Sequence, residues 1–370
     1  MNRRPQKSRS SYDAFSPVHT THFRAAAPDT RFFDARKRRS PLLTALGGAA
    51  LLLTAVIAFN FIANFFVRVE RISVPVTGLT EAFSGYTLLH ISDLKGASFG
   101  SDQGRLSMAL GDAQFDAVLL SGDMVSPLGN AQPLYALIDA LKSLRPGASI
   151  HFIAGDSDPE PASMVHATGG SPFAPWVLGA QQRGAVWLSA PQAITKDDQT
   201  LWLCTSAQLS LDINTMQPQY EQRYLNALDG GDQNEIDLAT HNLRQLEETR
   251  AARSAMQESD VYVALTHVPP MQEELQGEAA RRIDLLLCGH YLGGLMRLPA
   301  VGPLFIPSPN LPLYGLFPGD GMRCGLTRSG RTHVYVSPGL GTSDESYPPF
   351  FFRLFNPPTV TLITLTPSSL

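Results

Sequence analysis

The chain has 370 residues, enough for one large domain or two ordinary ones. Its net charge of −4 hides an asymmetry: residues 1–39 carry ten Lys/Arg against three acids, residues 40–67 none of either, and residues 68–370 carry 19 basic and 30 acidic residues. An acidic main body argues against a nucleic-acid partner, whose phosphates demand clustered Lys and Arg, and against a general electrostatic grip on anionic lipid.

Residues 1–39 are rich in Ser and Arg and lack apolar periodicity, which predicts a disordered cytoplasmic tail. The uncharged run 40–67 has 28 residues. As a helix it would reach about 42 Å, more than a bilayer core of about 30 Å, so it predicts a single transmembrane helix. Arg36, Lys37, Arg38 and Arg39 stand directly before it, whereas Arg68 and Arg71 follow in the company of Glu70. That bias places the N-terminus in the cytoplasm and the large C-terminal part on the outer face of the cell membrane. A cleaved signal peptide, the competing reading, would have a shorter apolar core and a shorter polar lead.

Beyond the helix, "RISVPV" and "GYTLLHIS" read as strands. An arrangement then recurs in which an apolar strand ends on an acid or a histidine and a loop or helix follows. "FDAVLLSGD" reaches Asp123, and the helix "LYALIDALKSL" follows with apolar residues three and four apart. "ASIHFIAGDSD" reaches Asp156. "AVWLSA" and "TLWLCTS" continue the strands, and residues 220–258 read as helical. "DVYVALTHVPP" reaches His267, "IDLLLCGHYLGG" reaches His290, and "HVYVSPGLGTS" and "TVTLITLT" close the series. The segment "SYPPFFFRLFNPP" reads as packed core, the alternative being a loop resting on a membrane or covering a pocket. Buried strands separated by helices predict an α/β sandwich. Cys204, Cys288 and Cys324 lack zinc-like spacing and form no disulfide framework; Cys204 and Cys288 read as small buried hydrophobes, and one bridge stays open.

In such folds functional side chains collect outside the C-terminal ends of strands. Asp93, Asp123, Asp156, His267 and His290 all occupy that position. Singly each has a bland reading, since Asp favours turns and an isolated His is often structural. Five together predict one shared metal site.

The order Asp93-Leu94-Lys95, Gly122-Asp123, Gly155-Asp156-Ser157-Asp158, His267 and Gly289-His290-Tyr291-Leu292 resembles the calcineurin-like metallophosphoesterases, in particular their bacterial membrane-anchored branch, across roughly residues 68–366. The resemblance implies a four-layer α-β-β-α sandwich of two mixed sheets, a pair of divalent metals bridged by Asp123, and an assisting histidine where Ser157 stands. It also implies histidines at the places of Lys95 and Leu292. Val125-Ser126 follows Asp123 where many members have a further acid. An ammonium beside two carboxylates repels a dication, so Lys95 is expected between Asp93 and Asp123 in place of the first metal. Asp123, Asp156, His267 and His290 then hold one Mn²⁺, Zn²⁺ or Fe²⁺ ion, with no second ion expected. Two functions follow. The first is a membrane-anchored pseudo-phosphoesterase with a ligand-binding or interaction role. The alternative is an active single-metal hydrolase of a phosphoester or pyrophosphate, with a lipid-linked substrate suited to a domain held near the bilayer and with Lys95 and Ser157 at the reacting phosphate.

Overall fold

The structure is a computed structural model. It describes residues 40–126, 128–163, 165, 171–277, 282–298, 301–306, 316, 324–342 and 353–368. The N-terminal tail 1–39 and the stretch 346–352 of the "SYPPFFFRLFNPP" segment lie outside the described residues.

The uncharged run forms helix α1, Pro41–Phe65, whose mean hydropathy over its most apolar window is 2.3. It is long and apolar enough to cross a membrane. By its contacts the chain divides into two units, Met1–Thr54 and Ala55–Leu370, so the last turns of α1 belong with everything that follows.

The larger unit is built on two six-stranded mixed sheets. The first has the order β1-β14-β2-β3-β4-β5, from Arg68–Val76, Thr359–Pro367, Thr87–Ile91, Ala117–Ser121, Ser149–Ile153 and Ala185–Trp187. The second runs β12-β13-β9-β8-β7-β6, from Gly325–Ser329, Thr332–Val336, Leu285–Cys288, Val261–Leu265, Gln199–Thr205 and Gln192–Lys196. A small hairpin, β10 (Met296–Leu298) with β11 (Gly302–Phe305), stands apart.

Period-2 alternation decides which face each side chain covers. On β3, Ala117 and Leu119 join Leu88, Leu203, Val263, Leu287 and Ile363 in one apolar cluster drawn from both sheets. Val118 and Leu120 point the other way, onto a cluster shared with helices α2 (Gly104–Leu110), α3 (Gln132–Leu144) and α4 (Pro175–Gln182). On the second sheet Cys204, Ala264, Leu286, Cys288 and Val334 pack with Leu209 of α5 (Ser206–Ser210). Central strands are therefore apolar on both faces, which explains their continuous hydrophobic runs. All three cysteines are free, Cys204 and Cys288 fully buried.

The helical stretch expected over 220–258 is two helices, α6 (Ile213–Gly230) and α7 (Gln233–Ala255). Gly231 closes α6 at φ 70°, and the Asp232 carboxylate accepts the Asn234 N–H to open α7. Strands β2, β3 and β4 run parallel in one sheet, as do β7, β8, β9 and β13 in the other. The loops leaving their C-terminal ends carry the candidate ligands.

Candidate metal centre

The five strand-end residues meet. Asp93 follows β2, Asp123 follows β3, Asp156 follows β4, His267 follows β8 and His290 follows β9. Asp93, Asp123 and His267 are buried, while Asp156 faces outward with 54% of its side chain exposed.

His267 is the hub. Its Nδ1 lies 2.8 Å from the Ser121 carbonyl, an oxygen that only accepts, so Nδ1 carries a proton. Nε2 then points at three carboxylates: 3.1 Å from Asp123 Oδ2, 3.0 Å from Asp156 Oδ1 and 3.9 Å from Asp93 Oδ1. It is buried and makes no aligned hydrogen bond. An imidazole lone pair aimed into converging carboxylates is a metal-ligand arrangement, with the far nitrogen fixing ring and tautomer. Behind it, His90 Nε2 lies 2.8 Å from Ser121 Oγ and steadies the residue that holds His267.

Without a cation the histidine itself must neutralise the acids. Burial alone would lower the His267 pKa, but the carboxylates of Asp123 and Asp156, then Asp93, raise it well above the usual value. Burial works to raise the Asp123 and Asp156 carboxyls, yet both are held far below the usual carboxylate range, Asp123 by His267 and Lys95 and Asp156 by His267 and His290. Asp93, wholly buried, is pushed up by desolvation despite nearby His267 and Lys95.

Lys95 donates from Nζ to Asp123 Oδ2 at 2.7 Å and to Ser157 Oγ at 3.2 Å. The Ser157 N–H donates to Asp123 Oδ1 at 2.9 Å, so both Asp123 oxygens are engaged. Asp93 takes a forked bond from the His290 N–H, 3.2 Å to each oxygen. His290 Nδ1 lies 3.0 Å from Asp156 Oδ1. Leu292 is packed in the core at 2% exposure.

The backbone at these loops is unusual. Asp93 (φ 53°), Lys95 (φ 49°), Asp123 (φ 54°), His290 (φ 70°) and Leu292 (φ 52°) are all left-handed. Non-glycine residues there cost on the order of 1–3 kcal/mol each and concentrate at functional sites.

The donor set fits divalent metal. Two groups, Asp93–Asp123–His267 and Asp156–His267–His290, each bring their ligand atoms within 4.8 Å of one another. Carboxylate and imidazole donors suit Mn²⁺, Zn²⁺ or Fe²⁺. The expectation of a single ion with no second is thereby corrected: two groups overlapping at His267, one wholly buried and one opening outward, point to a two-metal site. Ligand-by-ligand counting gave Lys95 both carboxylates, whereas Asp93 presents an oxygen to His267 as well, which supplies the second group.

One positioning residue lacked an assigned role in the sequence. Asp158 accepts the Val125 N–H at 2.7 Å and the Gly155 N–H at 2.8 Å, tying the loop after β4 to the loop after β3. Its place in the Gly-Asp-Ser-Asp run was the available signal.

No family model matches the chain. Among curated proteins it is similar to phosphodiesterase YaeI of Escherichia coli (strain K12), with 31% identity over 103 residues, 28% of this chain. That match spans about a third (32%) of the relative's own length. Among solved structures it is similar to the phosphopantetheinyl hydrolase PptH of Mycobacterium tuberculosis, at 14% identity and a TM-score of 0.32, covering 69% of this chain and 91% of that one. A second solved structure gives 10% identity and a TM-score of 0.36 over the same shares. Two mixed sheets flanked by helices form an α/β sandwich, with the Asp/His groups on the loops that follow its strands.

Proposed function

We propose that this protein is a membrane-anchored, metal-dependent hydrolase of a phosphoester or pyrophosphate. The observation that carries the reading is His267 Nε2, buried, without an aligned hydrogen bond, and aimed at three carboxylates that belong to both ligand groups. The phosphodiesterase named as a partial relative supports the same reaction class.

Asp93, Asp123, Asp156, His267 and His290 would hold the ions. Divalent metal, when bound, supplies charge neutralisation for a phosphate and acidifies water. Lys95 adds a fixed ammonium beside Asp123, a charge suited to a phosphate oxygen. Ser157, held against Lys95, offers a hydroxyl as hydrogen-bond donor but no cationic acid at neutral pH. The four basic residues before α1 support an orientation with the N-terminus in the cytoplasm and residues 68–370 at the outer face. A domain held at a bilayer in this way suits a lipid-linked substrate.

A second reading, ligand binding without turnover, draws on Ser157 and the buried Leu292 at positions where the resemblance implies imidazoles. One experiment separates the two: metal content and phosphodiester hydrolysis of the full chain in detergent micelles after growth with Mn²⁺ and Zn²⁺. Two equivalents of metal and a turnover abolished by His267→Gln support the hydrolase. Metal uptake with no turnover on diesters, monoesters or pyrophosphates gives the second reading, and failure to take up metal sinks both metal-based accounts.

A further inference from the structure

Among the described residues the side chain of Arg353 is the largest that is fully buried, and the residue lies in the strap Arg353–Asn356. Its guanidinium makes no hydrogen bond to a carboxylate among the described residues. Instead Nε donates to the Asn356 carbonyl (2.8 Å), Nη1 to Gly341 (2.5 Å), and Nη2 to Gly339 (2.9 Å) and Pro338. A cation that gathers only carbonyls in the interior is fixing backbone, a task suited to the planar fork of arginine.

The backbone it fixes touches the metal centre. The Gly341 N–H donates to the Asp93 carbonyl at 2.6 Å and the Leu340 N–H to the Ser92 carbonyl at 3.1 Å. Gly339 sits so close that a Cβ there would lie 2.9 Å from the Asp93 Cβ. The other end of the strap reaches the second ligand loop. Asn356 Nδ2 donates to the carbonyls of Leu292 (2.7 Å) and Gly294 (2.8 Å), in the turn that follows His290.

The strap is in turn held by α1. Asn60 Nδ2 donates to the Arg353 carbonyl at 2.7 Å, while Asn60 Oδ1 accepts the Phe355 N–H at 2.9 Å. Asn64, one turn later on the same face, donates to the same Arg353 carbonyl at 2.9 Å. Asn60 is buried, although most of its helix is apolar and exposed.

We infer that Arg353 is a positioning residue for the Asp93 and His290 loops, and that Asn60 and Asn64 make its placement depend on the end of α1. Metal affinity is then set in part by the membrane helix. The inference rests on Asp93 and His290 being metal ligands, as proposed above. Outer-shell partners of metal ligands typically carry about 10–100-fold in affinity.

The test compares the full chain in micelles with an Asn60→Ala/Asn64→Ala variant and with Arg353→Lys. Alanine favours the helix, so the double variant keeps α1 intact. Two quantities are read: Mn²⁺ affinity, and amide exchange in the metal-free chain at Leu340 and Gly341, with Leu119 and Val263 as core references. The expected result is a loss of Mn²⁺ affinity of about 10–100-fold. Exchange at Leu340 and Gly341 should quicken by at least about tenfold while the references hold. Unchanged exchange at those two amides, or faster exchange with unchanged Mn²⁺ affinity, overturns the inference. A wild-type chain that takes up no Mn²⁺ would refute the metal reading instead, and the exchange data alone then decide whether the strap positions Asp93. If Arg353→Lys does not fold, the asparagine variant decides.

Discussion

Lys95 Nζ stands 2.7 Å from Asp123 Oδ2, with 6% and 1% of the two side chains exposed. A lysine so placed both neutralises the acid and competes with any cation for the same oxygen. Lys95→Met should therefore move two measurements in opposite directions. Mn²⁺ affinity rises by about tenfold, because a like charge at contact distance is gone. On the proposed hydrolase reading, phosphoester turnover falls by roughly ten- to a hundredfold, because the fixed ammonium beside Asp123 is lost. Titration and steady-state kinetics on one preparation check both signs. The metal-free variant should also lose roughly 3 kcal/mol of stability, since breaking a buried pair strands its partner.

Metal binding should expel a proton. The acids around His267 hold its pKa well above the ordinary histidine value, so the metal-free ring is charged at neutral pH. A metal needs the Nε2 lone pair, so affinity should rise with pH until the ring titrates unaided. Calorimetry of Mn²⁺ binding at pH 7, repeated in buffers of different ionisation enthalpy, should count about one proton released. A count near zero would mean the ring is already neutral.

Asp158→Asn tests the tie between the loops after β3 and β4. Both carboxylate oxygens accept a backbone N–H, and an amide can accept only one while presenting N–H₂ to the other. Leaving a buried donor unsatisfied costs about 1–3 kcal/mol. Chemical denaturation should show that loss, and Mn²⁺ affinity should weaken with it.

His151 should contribute a defined part of the pH dependence of stability. Burial, helped by Lys142, lowers its pKa to about 4, and neither ring nitrogen has a hydrogen-bond partner. The unfolded chain binds this proton near pH 6.5, so the stabilisation is complete above that value and is lost as pH falls from 6.5 toward 4. At about 1.4 kcal/mol per pH unit, the loss across that window is roughly 3 kcal/mol. His151→Leu should flatten the acid limb of the denaturation midpoint by a corresponding amount.

The central strands and the acids and histidines that meet at their ends were legible because each apolar run stops at a Gly-Asp, a lone His or a Gly-His, a change of chemistry visible within a few residues. Other features depend on long-range contacts. Asn60 and Asn64 meet the strap across 289 to 295 residues of sequence, and no local pattern in an apolar helix marks those partners. Arg353 left a faint trace as the single charge in an aromatic run. The second ligand group escaped for a different reason. Charge counting can weigh Lys95 against two acids, but only geometry shows its hydrogen bond going to Asp123 and Ser157 while Asp93 also faces His267. The break at Gly231 was legible in principle, since Gly-Asp after a helical run is a stop followed by a cap.

The left-handed backbone at Lys95 and Leu292 has a consequence for how this site can change. Leucine is poorly suited to that conformation, whereas histidine is several-fold enriched there among non-glycine residues. Both loops therefore hold their side chains on a strained backbone. A Leu292→His exchange would trade apolar packing for relief of backbone strain. The strain held at these two positions is therefore a reserve of stability that a change of side chain, rather than any new contact, could release.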